Sequence, residues 1–247
     1  MSFLGDYHTH TVFSHGKGTV EENVLAALSK GLREIAITDH GVCGYPENLH
    51  PDEVKDYLAA IEESRRLHPD IKIYSGVEAN ITSESGDLDI TEAIEKDFDV
   101  IIFGWHSVRI PSKWKDIHGF WLPNVVKATK YSNKTMVRNT DAYLKAMDRY
   151  RISILGHLRR QVHIDLDPIG EMAAKKGILI ELNSKNIELT VEDLQMLALK
   201  GCRFICSSDA HSPERVGDFS AADLFEMAGL DRSLIFNLNN NPVFKKK

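Results

Sequence analysis

The chain alternates short apolar runs with amphipathic segments along most of its length. Seven runs rich in apolar and β-branched residues predict strands, at residues 3–8, 33–38, 71–77, 98–104, 152–156, 178–183 and 203–207. Helical patterns lie between them. The first, "VEENVLAALSKG", has Thr19 as a candidate N-cap, glutamates in its first turn and Gly31 at its end. Segments such as "PDEVKDYLAAIEESRRL" and "TVEDLQMLALKG" have the same character.

This repeated strand-then-helix order predicts a mostly parallel sheet covered by helices. Seven such units without a GxGxxG loop favour a closed or nearly closed barrel over a doubly wound sheet. We therefore predict an α/β fold of the (β/α)7 TIM-like barrel type. No linker divides the chain, so we expect a single barrel domain over residues 1–247. The last segment, "DRSLIFNLN", is predicted as a weak eighth strand or a C-terminal tail.

The carboxyl ends of the predicted strands carry most of the chemistry. In barrels of this class that rim holds the catalytic residues. Six of the seven predicted strands end in a histidine or a carboxylate, and His15 follows the first of them on the loop "SHGKG". The strand-end residues are His8, His10, Asp39, His40, Glu78, His106, His157, Asp209 and His211. Unrelated structural histidines have no reason to gather on one rim, which indicates a metal site. The sixth strand ends in "ELNSKN" and offers no obvious ligand.

The spacing and the number of the candidate ligands also indicate a metal site. His8 and His10, like Asp209 and His211, are two positions apart, so in an extended chain both members of each pair point to one side. A zinc-like ion takes about four ligands. We expect Asp39 to orient a ligand and do not count it as one. The other eight strand-end residues and His15 make nine candidate metal ligands, a number that suits two or three ions. Imidazole-rich ligation without thiols favours zinc, iron or manganese. With neutral imidazoles, the charge of three divalent ions would exceed that of the two carboxylates, Glu78 and Asp209. This excess positive charge favours binding of an anion such as phosphate.

Composition narrows the classes of function. The net charge is −6, no apolar run is long enough to span a membrane, and the start of the chain lacks the features of a signal peptide. Cys43, Cys202 and Cys206 are too few for a disulfide framework. We predict a cytoplasmic protein that binds no membrane and has no general affinity for nucleic acid.

One stretch departs from this acidic character. Residues 105–138 carry a net charge of +6, which leaves −12 for the remainder, and they contain all three tryptophans, Trp105, Trp114 and Trp121. We expect a basic, tryptophan-rich excursion at about residues 107–139, between the fourth and fifth strands.

The ordered motifs resemble a known family. HxH at the first strand, "TDHG", "GVEAN", "GWHS", "LGH" and "SSDAH" look like those of the PHP (polymerase and histidinol phosphatase) family of metal-dependent phosphoesterases, from Asp6 to about Gly217. Within it, the chain looks most similar to the small stand-alone phosphatases. The resemblance implies a distorted (β/α)7 barrel with a trinuclear site. It also implies a division of the ligands: His8, His10, Glu78 and Asp209 for a first ion; Glu78, His106 and His157 for a second; His15, His40 and His211 for a third.

These observations predict a phosphoesterase that hydrolyses a small phosphorylated metabolite, histidinol phosphate being one candidate by resemblance. A hydroxide bound to the ions would attack phosphorus in line, with Glu78 and Asp209 supporting it. Four basic residues follow rim motifs closely enough to bind the phosphate: Arg109, Arg160, Lys185 and Arg215.

Three alternatives stay open. A nuclease or phosphodiesterase would use the basic excursion as an aromatic platform for nucleotides or single strands; the acidic remainder argues against it. A metal amidohydrolase would use a different ligand set, often with a modified lysine, and no lysine occupies a matching strand end. An interaction module without activity would be expected to have lost ligands.

Overall fold

Seven parallel strands form the centre of the molecule. The computed structural model describes residues 2–42, 48–108, 110–111, 113–239, 242 and 244. The strands are hydrogen-bonded to one another in chain order. They are β1 (Gly5–Asp6), β2 (Glu34–Ile37), β3 (Lys72–Asn80), β4 (Val100–Gly104), β5 (Ile154–Leu155), β6 (Leu179–Asn183) and β7 (Phe204–Ser207). All seven predicted strands are confirmed.

Helices follow the strands and cover the outside of the sheet. They are α1 (Val20–Ser29), α2 (Val54–Leu67), α3 (Glu92–Glu95), α4 (Trp114–Asp116), α5 (Leu122–Val125), α6 (Lys127–Lys130), α7 (Asn133–Arg149), α8 (Leu166–Lys176), α9 (Val191–Leu199), α10 (Ala222–Met227) and α11 (Phe236–Asn239). The predicted start of α1 is confirmed: Thr19 and Glu22 form a capping box, in which each side chain binds the other residue's backbone N–H.

The sheet comes close to closing on itself just beyond β1 and β7. Thr9 and Ala210 form an isolated parallel bridge, and the His10 N–H donates to the Ala210 carbonyl at 2.8 Å. This contact brings the segments after the first and last strands side by side. The result is a nearly closed barrel of seven strands surrounded by helices, as the sequence predicts.

The barrel is apolar at one end and polar at the other. A buried cluster takes residues from every strand or the residue after it: Tyr7, Ala36, Tyr74, Val100, Ile102, Ile154, Leu179 and Ile205. A larger apolar cluster fills the space between the strands and the helices. The apolar packing inside the barrel gives way to buried histidines and carboxylates at the carboxyl ends of the strands.

Two segments complete the chain. "DRSLIFNLN" forms a 3-10 turn and α11 with one bridge, Phe204 to Ile235, so the tail and not the eighth strand is observed. The excursion folds into α4, a π-helix (Ile117–Trp121), α5, α6 and the start of α7. Among the described residues, no helix is long and apolar enough to cross a membrane.

Candidate active site

The predicted strand-end residues come together at the carboxyl end of the barrel. His8 and His10 follow β1, His40 follows β2, and Glu78 lies within β3. The remaining positions follow β4, β5 and β7, and His15 reaches the cluster from the loop before α1: His15, His106, His157, Asp209 and His211. The structure thus gathers all nine predicted ligand positions, which lie up to 203 positions apart in the printed sequence.

Glu78 occupies the centre of this cluster and is 1% exposed. Both of its carboxylate oxygens face imidazole nitrogens. From Oε2 the distances are 2.9 Å to His40 Nδ1, 3.3 Å to His8 Nε2 and 3.4 Å to His10 Nε2. From Oε1 they are 2.6 Å to His157 Nε2 and 3.3 Å to His106 Nε2. One carboxylate therefore connects five imidazoles, which is the arrangement expected of a group that bridges two cations.

Asp209 is the second carboxylate that approaches His10 Nε2. Its Oδ1 is 3.4 Å from His10 Nε2 and 3.3 Å from His211 Nδ1. His15 completes this side: its ring stacks on that of His40 at a centroid distance of 4.7 Å and meets the ring of His211 edge-on at 4.2 Å. The second carboxylate and three imidazoles thus extend the cluster from Glu78 toward the loop before α1.

The donor set fits divalent metal ions. Three overlapping groups each place their ligand atoms within 4.8 Å of one another, namely His8, His10 and Glu78; His40, Glu78 and His106; and His10, His40 and His211. Several ring nitrogens and one carboxylate oxygen in these groups are buried without a hydrogen-bond partner: His8 Nε2, both nitrogens of His10, His40 Nδ1 and Glu78 Oε2. Buried polar atoms are rarely left unsatisfied, so such a concentration indicates a missing partner at this position.

The electrostatics of the cluster also favour cations. Burial would raise the pKa of Glu78, but the imidazoles around it hold that pKa well below its usual range. Burial lowers the pKa of His106 to about 4 and holds the pKa values of His10 and His40 well below their usual range. At neutral pH the carboxylate is charged and these three imidazoles are neutral, the protonation states in which both types of side chain bind metals.

His8 behaves differently from its neighbours. Burial disfavours its charged form, but Glu181, Glu78 and Asp209 outweigh this effect and hold its pKa well above the usual value. The three carboxylates thus favour a positive charge at this position.

Glu181 was missed by the sequence reasoning. It lies within β6, the strand to which no ligand was assigned, and its Oε1 is 2.6 Å from His8 Nδ1. Its Oε2 accepts from the His157 backbone N–H at 2.7 Å. The signal that could have revealed it is the "ELN" at the end of the sixth apolar run, where a glutamate alternates with apolar positions on a buried strand.

Asp39 supports the loop that carries His15. It accepts hydrogen bonds from the Thr11 backbone N–H at 2.8 Å, from the Thr11 hydroxyl at 2.6 Å and from the Ser14 hydroxyl. These bonds fix residues 11–14, which connect His10 to His15. The role of Asp39 in orienting ligands remains a prediction. By holding Thr11 and Ser14, Asp39 would act on the position of His15.

Two of the candidate ligands adopt strained backbone conformations. His157 has φ 27° and Asp209 has φ 50°, both in the left-handed region that residues with a Cβ rarely adopt. Such strain persists only where surrounding contacts enforce it, and it is common at functional sites. Both residues lie just after strand ends, and their side chains contact Glu78 and His10 within the cluster.

A cavity of about 170 Å³ opens beside the cluster. Its walls are His15, His40, His106, Val108, Arg160, Lys185, Asp209 and His211. Lys185 Nζ is 3.7 Å from Asp209 Oδ1, and Arg160 Nη1 is 4.0 Å from Asp209 Oδ2. Two of the four predicted phosphate-binding residues therefore border the cavity.

The other two predicted phosphate-binding residues, Arg215 and Arg109, are not among the residues that border the cavity in the described part of the chain. Arg215 binds Asp218 at 2.7 Å on an exposed turn and does not line this cavity within the described part of the chain. Arg109 lies outside the described residues.

Comparison with known proteins agrees with this geometry. The PHP domain family matches residues 6–185. A protein named "Probable phosphatase" from Clostridium botulinum is 30% identical over 99% of this chain and 94% of its own length. A probable phosphatase from Clostridium acetobutylicum is 28% identical over 98% of this chain and 93% of the relative.

A solved structure shows the same fold. Histidinol phosphate phosphatase from Lactococcus lactis, complexed with zinc, L-histidinol and phosphate, superposes with a TM-score of 0.61 at 20% identity, over 94% of this chain and 95% of the other. The family resemblance predicted from the motifs is confirmed by the match over residues 6–185. The chain belongs to the PHP domain family.

Proposed function

We propose that the protein is a metal-dependent phosphatase that hydrolyses a small phosphate monoester. The curated relatives confirm the coarser prediction of a hydrolase of the phosphatase class. The observation that carries the proposal is the position of Glu78. Its carboxylate contacts five imidazoles, and the cavity beside this cluster is bordered by two basic side chains, Arg160 and Lys185.

The nine clustered side chains would hold two or three zinc, iron or manganese ions. In the division that the resemblance implies, His8, His10, Glu78 and Asp209 would hold the first ion. Glu78 would also serve a second ion together with His106 and His157, and His15, His40 and His211 would hold a third. The overlap of the three metal-compatible groups supports shared ligands. When bound, such ions act as Lewis acids that stabilise charge on a phosphoryl group and make water a nucleophile at neutral pH.

The two basic residues at the cavity, Arg160 and Lys185, bind and orient the substrate. Arg160 can pair two phosphoryl oxygens at once through its planar guanidinium, and Lys185 supplies a second positive charge on the same wall. Lys185 Nζ lies 3.7 Å from Asp209 Oδ1, which places the ammonium at the edge of the cluster. A dianionic phosphate would therefore be drawn between these two cations and the histidine cluster.

Cavity size indicates a small substrate. Pockets for drug-sized ligands usually measure about 300–1,000 Å³. The cavity beside the cluster, about 170 Å³, suits a phosphate and part of a small leaving group. The Lactococcus lactis protein is complexed with L-histidinol and phosphate, which makes histidinol phosphate the first metabolite to test.

The nuclease alternative receives little support from the excursion. Trp105 and Phe120 are buried and pack edge-on at 5.3 Å, and the Trp121 indole donates to the Ser107 carbonyl at 2.8 Å. Of the three tryptophans only Trp114 is largely exposed, at 74%. A platform for single strands needs several exposed rings, whereas two of these three pack inward.

The reaction class can be tested with three chromogenic substrates. Metal-loaded protein should hydrolyse p-nitrophenyl phosphate faster than bis(p-nitrophenyl) phosphate, and p-nitroacetanilide should not react. Faster turnover of the diester would favour the phosphodiesterase alternative. Cleavage of the anilide alone would favour an amidohydrolase.

A further inference from the structure

Strand β6 contributes no predicted metal ligand, yet it directs two polar side chains at the cluster. Glu181 and Asn183 are two positions apart on this strand and therefore face the same side of the sheet. They are 1% and 3% exposed. Asn183 Nδ2 donates to Glu181 Oε2 at 3.0 Å, so the two side chains form one unit. A buried carboxylate in the barrel requires partners that compensate its desolvation.

The first partner of Glu181 is the His8 ring, at 2.6 Å between Oε1 and Nδ1. A carboxylate oxygen accepts from a ring N–H, so Nδ1 carries a proton and Nε2 is the nitrogen left to bind a cation. His8 Nε2 is buried, has no hydrogen-bond partner and lies 3.3 Å from Glu78 Oε2. Glu181 therefore selects the tautomer whose free nitrogen points at the centre of the cluster.

The second partner is the backbone of His157. Its N–H donates to Glu181 Oε2 at 2.7 Å, in a residue with φ 27°. The same strand also holds the other strained ligand candidate, because Asn183 Nδ2 donates to Asp209 Oδ2 at 3.2 Å, where φ is 50°. The two candidate ligands in the left-handed region are thus both held from β6.

We propose that Glu181 is a positioning residue for the metal centre. It fixes the proton of His8 on Nδ1 and holds the His157 backbone, and Asn183 links the same carboxylate to Asp209. The inference rests on the proposed metal site. It assigns to β6 the task of orienting ligands that belong to two different ions. Loss of such an outer contact lowers metal affinity by about 10–100-fold in well-studied sites.

The test is a zinc titration of the metal-free protein against a chelating indicator dye. Glu181→Gln keeps size and shape, but its amide nitrogen cannot accept the hydrogen bond that the second oxygen receives. We expect zinc affinity to fall by about 10–100-fold. Glu192→Gln, an exposed position on α9, is the matched control and should bind zinc as the wild type does. Wild-type affinity in a folded Glu181→Gln variant would overturn the proposal.

A double-mutant comparison separates positioning from general destabilisation. If Glu181 acts largely through His8, Glu181→Gln should reduce zinc affinity less in a His8→Ala background than in the wild type. An equal reduction in both backgrounds would show that Glu181 does not act through His8. Zinc affinity is measured without substrate, so a protein that binds zinc but hydrolyses no phosphate ester would contradict the proposed function and leave this inference standing.

The wild-type protein gives an independent readout if the variant does not fold. Nitrogen-15 NMR of the zinc-loaded protein distinguishes protonated, free and metal-bound imidazole nitrogens. His8 should show a protonated Nδ1 and a zinc-bound Nε2. Zinc on Nδ1, or a proton on Nε2, would overturn the assignment to Glu181.

Discussion

His157 Nε2 lies 2.6 Å from Glu78 Oε1, although the two residues are 79 positions apart and belong to the ends of different strands. The contact joins a strained histidine to the carboxylate at the centre of the cluster. The two groups belong to strands on either side of β4, and both are 3% exposed or less. The fold thus places Glu78 between histidines on both of its carboxylate oxygens.

Replacement of Glu78 is expected to be the most damaging single change to the metal centre. Glu78→Gln removes the charge that faces five imidazoles, and fewer ions should remain bound. Loss of a residue that only hydrogen-bonds to a metal ligand lowers metal affinity or activity by about 10–100-fold. Turnover of p-nitrophenyl phosphate should fall further than this. Metal analysis and steady-state kinetics check the result, with exposed Glu63→Gln as the control. Unchanged metal content would contradict a bridging role.

The basic residues at the cavity should act on substrate binding. Arg160→Ala removes a guanidinium that can pair two phosphoryl oxygens, and a hydrogen bond to a charged group contributes about 1.5–3 kcal/mol. We expect kcat/KM for p-nitrophenyl phosphate to fall by about 10–100-fold. Metal content should not change. Arg215→Ala, which removes the exposed partner of Asp218, serves as the control. Equal effects of both substitutions would show that Arg160 does not bind substrate.

Asp39 should contribute to stability and, through its loop, to the position of His15. Asp39→Ala leaves the two buried donors of Thr11 and the partly buried Ser14 hydroxyl without their acceptor. The free energy of unfolding should fall by about 2–4 kcal/mol, since each buried unsatisfied group costs about 1–3 kcal/mol. Urea unfolding monitored by circular dichroism measures the change. Asp52→Ala, at a side chain that is 95% exposed, should be neutral. An unchanged free energy of unfolding in Asp39→Ala would contradict the role of Asp39 in supporting residues 11–14.

Gly41 is expected to tolerate no side chain. A Cβ at this position would overlap the carboxylate of Asp89, whose Oδ1 accepts from the Asn80 N–H at 2.7 Å. Asn80 in turn accepts from the backbone N–H of His106 at 2.6 Å. Gly41→Ala should therefore lower the free energy of unfolding by about 1–3 kcal/mol, the usual cost of overpacking.

The same substitution should reduce phosphatase turnover, because the displaced Asp89 connects through Asn80 to a candidate metal ligand. Gly119→Ala is the control: its Cβ would meet Glu84 at 3.6 Å, an ordinary contact. Thermal unfolding and turnover are measured on both variants. If both are equally stable and active, the contacts from Gly41 to His106 do not support the site.

The sequence predicted the barrel and the ligand cluster because both depend on local patterns. Apolar runs locate the strands, and a histidine directly after a run must lie on the rim once the strands are parallel. The "ELN" pattern marks Glu181 as a polar residue on a buried strand, but a local pattern does not identify its partner. Its importance depends on which residue faces it across the barrel, and His8 is 173 positions away. The same holds for Arg215, whose place near a rim motif did not bring it to the cavity.

The ends of the strands also depended on the assembled barrel. The first predicted strand covers residues 3–8, whereas β1 is Gly5–Asp6. The regular ladder is interrupted after Asp6 and is continued only by single contacts, among them the Thr9–Ala210 bridge and the hydrogen bond from the Thr38 N–H to the Thr9 carbonyl at 2.8 Å. The excursion illustrates the same limit. The nuclease alternative required an exposed aromatic platform there, whereas Trp105, just before the excursion, is buried against Phe120.

The metal dependence of phosphate-ester turnover tests the central claim most directly. The ions in the purified protein are counted by mass spectrometry, and p-nitrophenyl phosphate turnover is compared in native, chelated and zinc-, iron- or manganese-reconstituted samples. Two to three ions per chain are expected, with turnover lost on chelation and restored by at least one metal. Full metal occupancy without hydrolysis of any phosphate ester, or undiminished turnover after complete removal of the metal, would contradict the assignment.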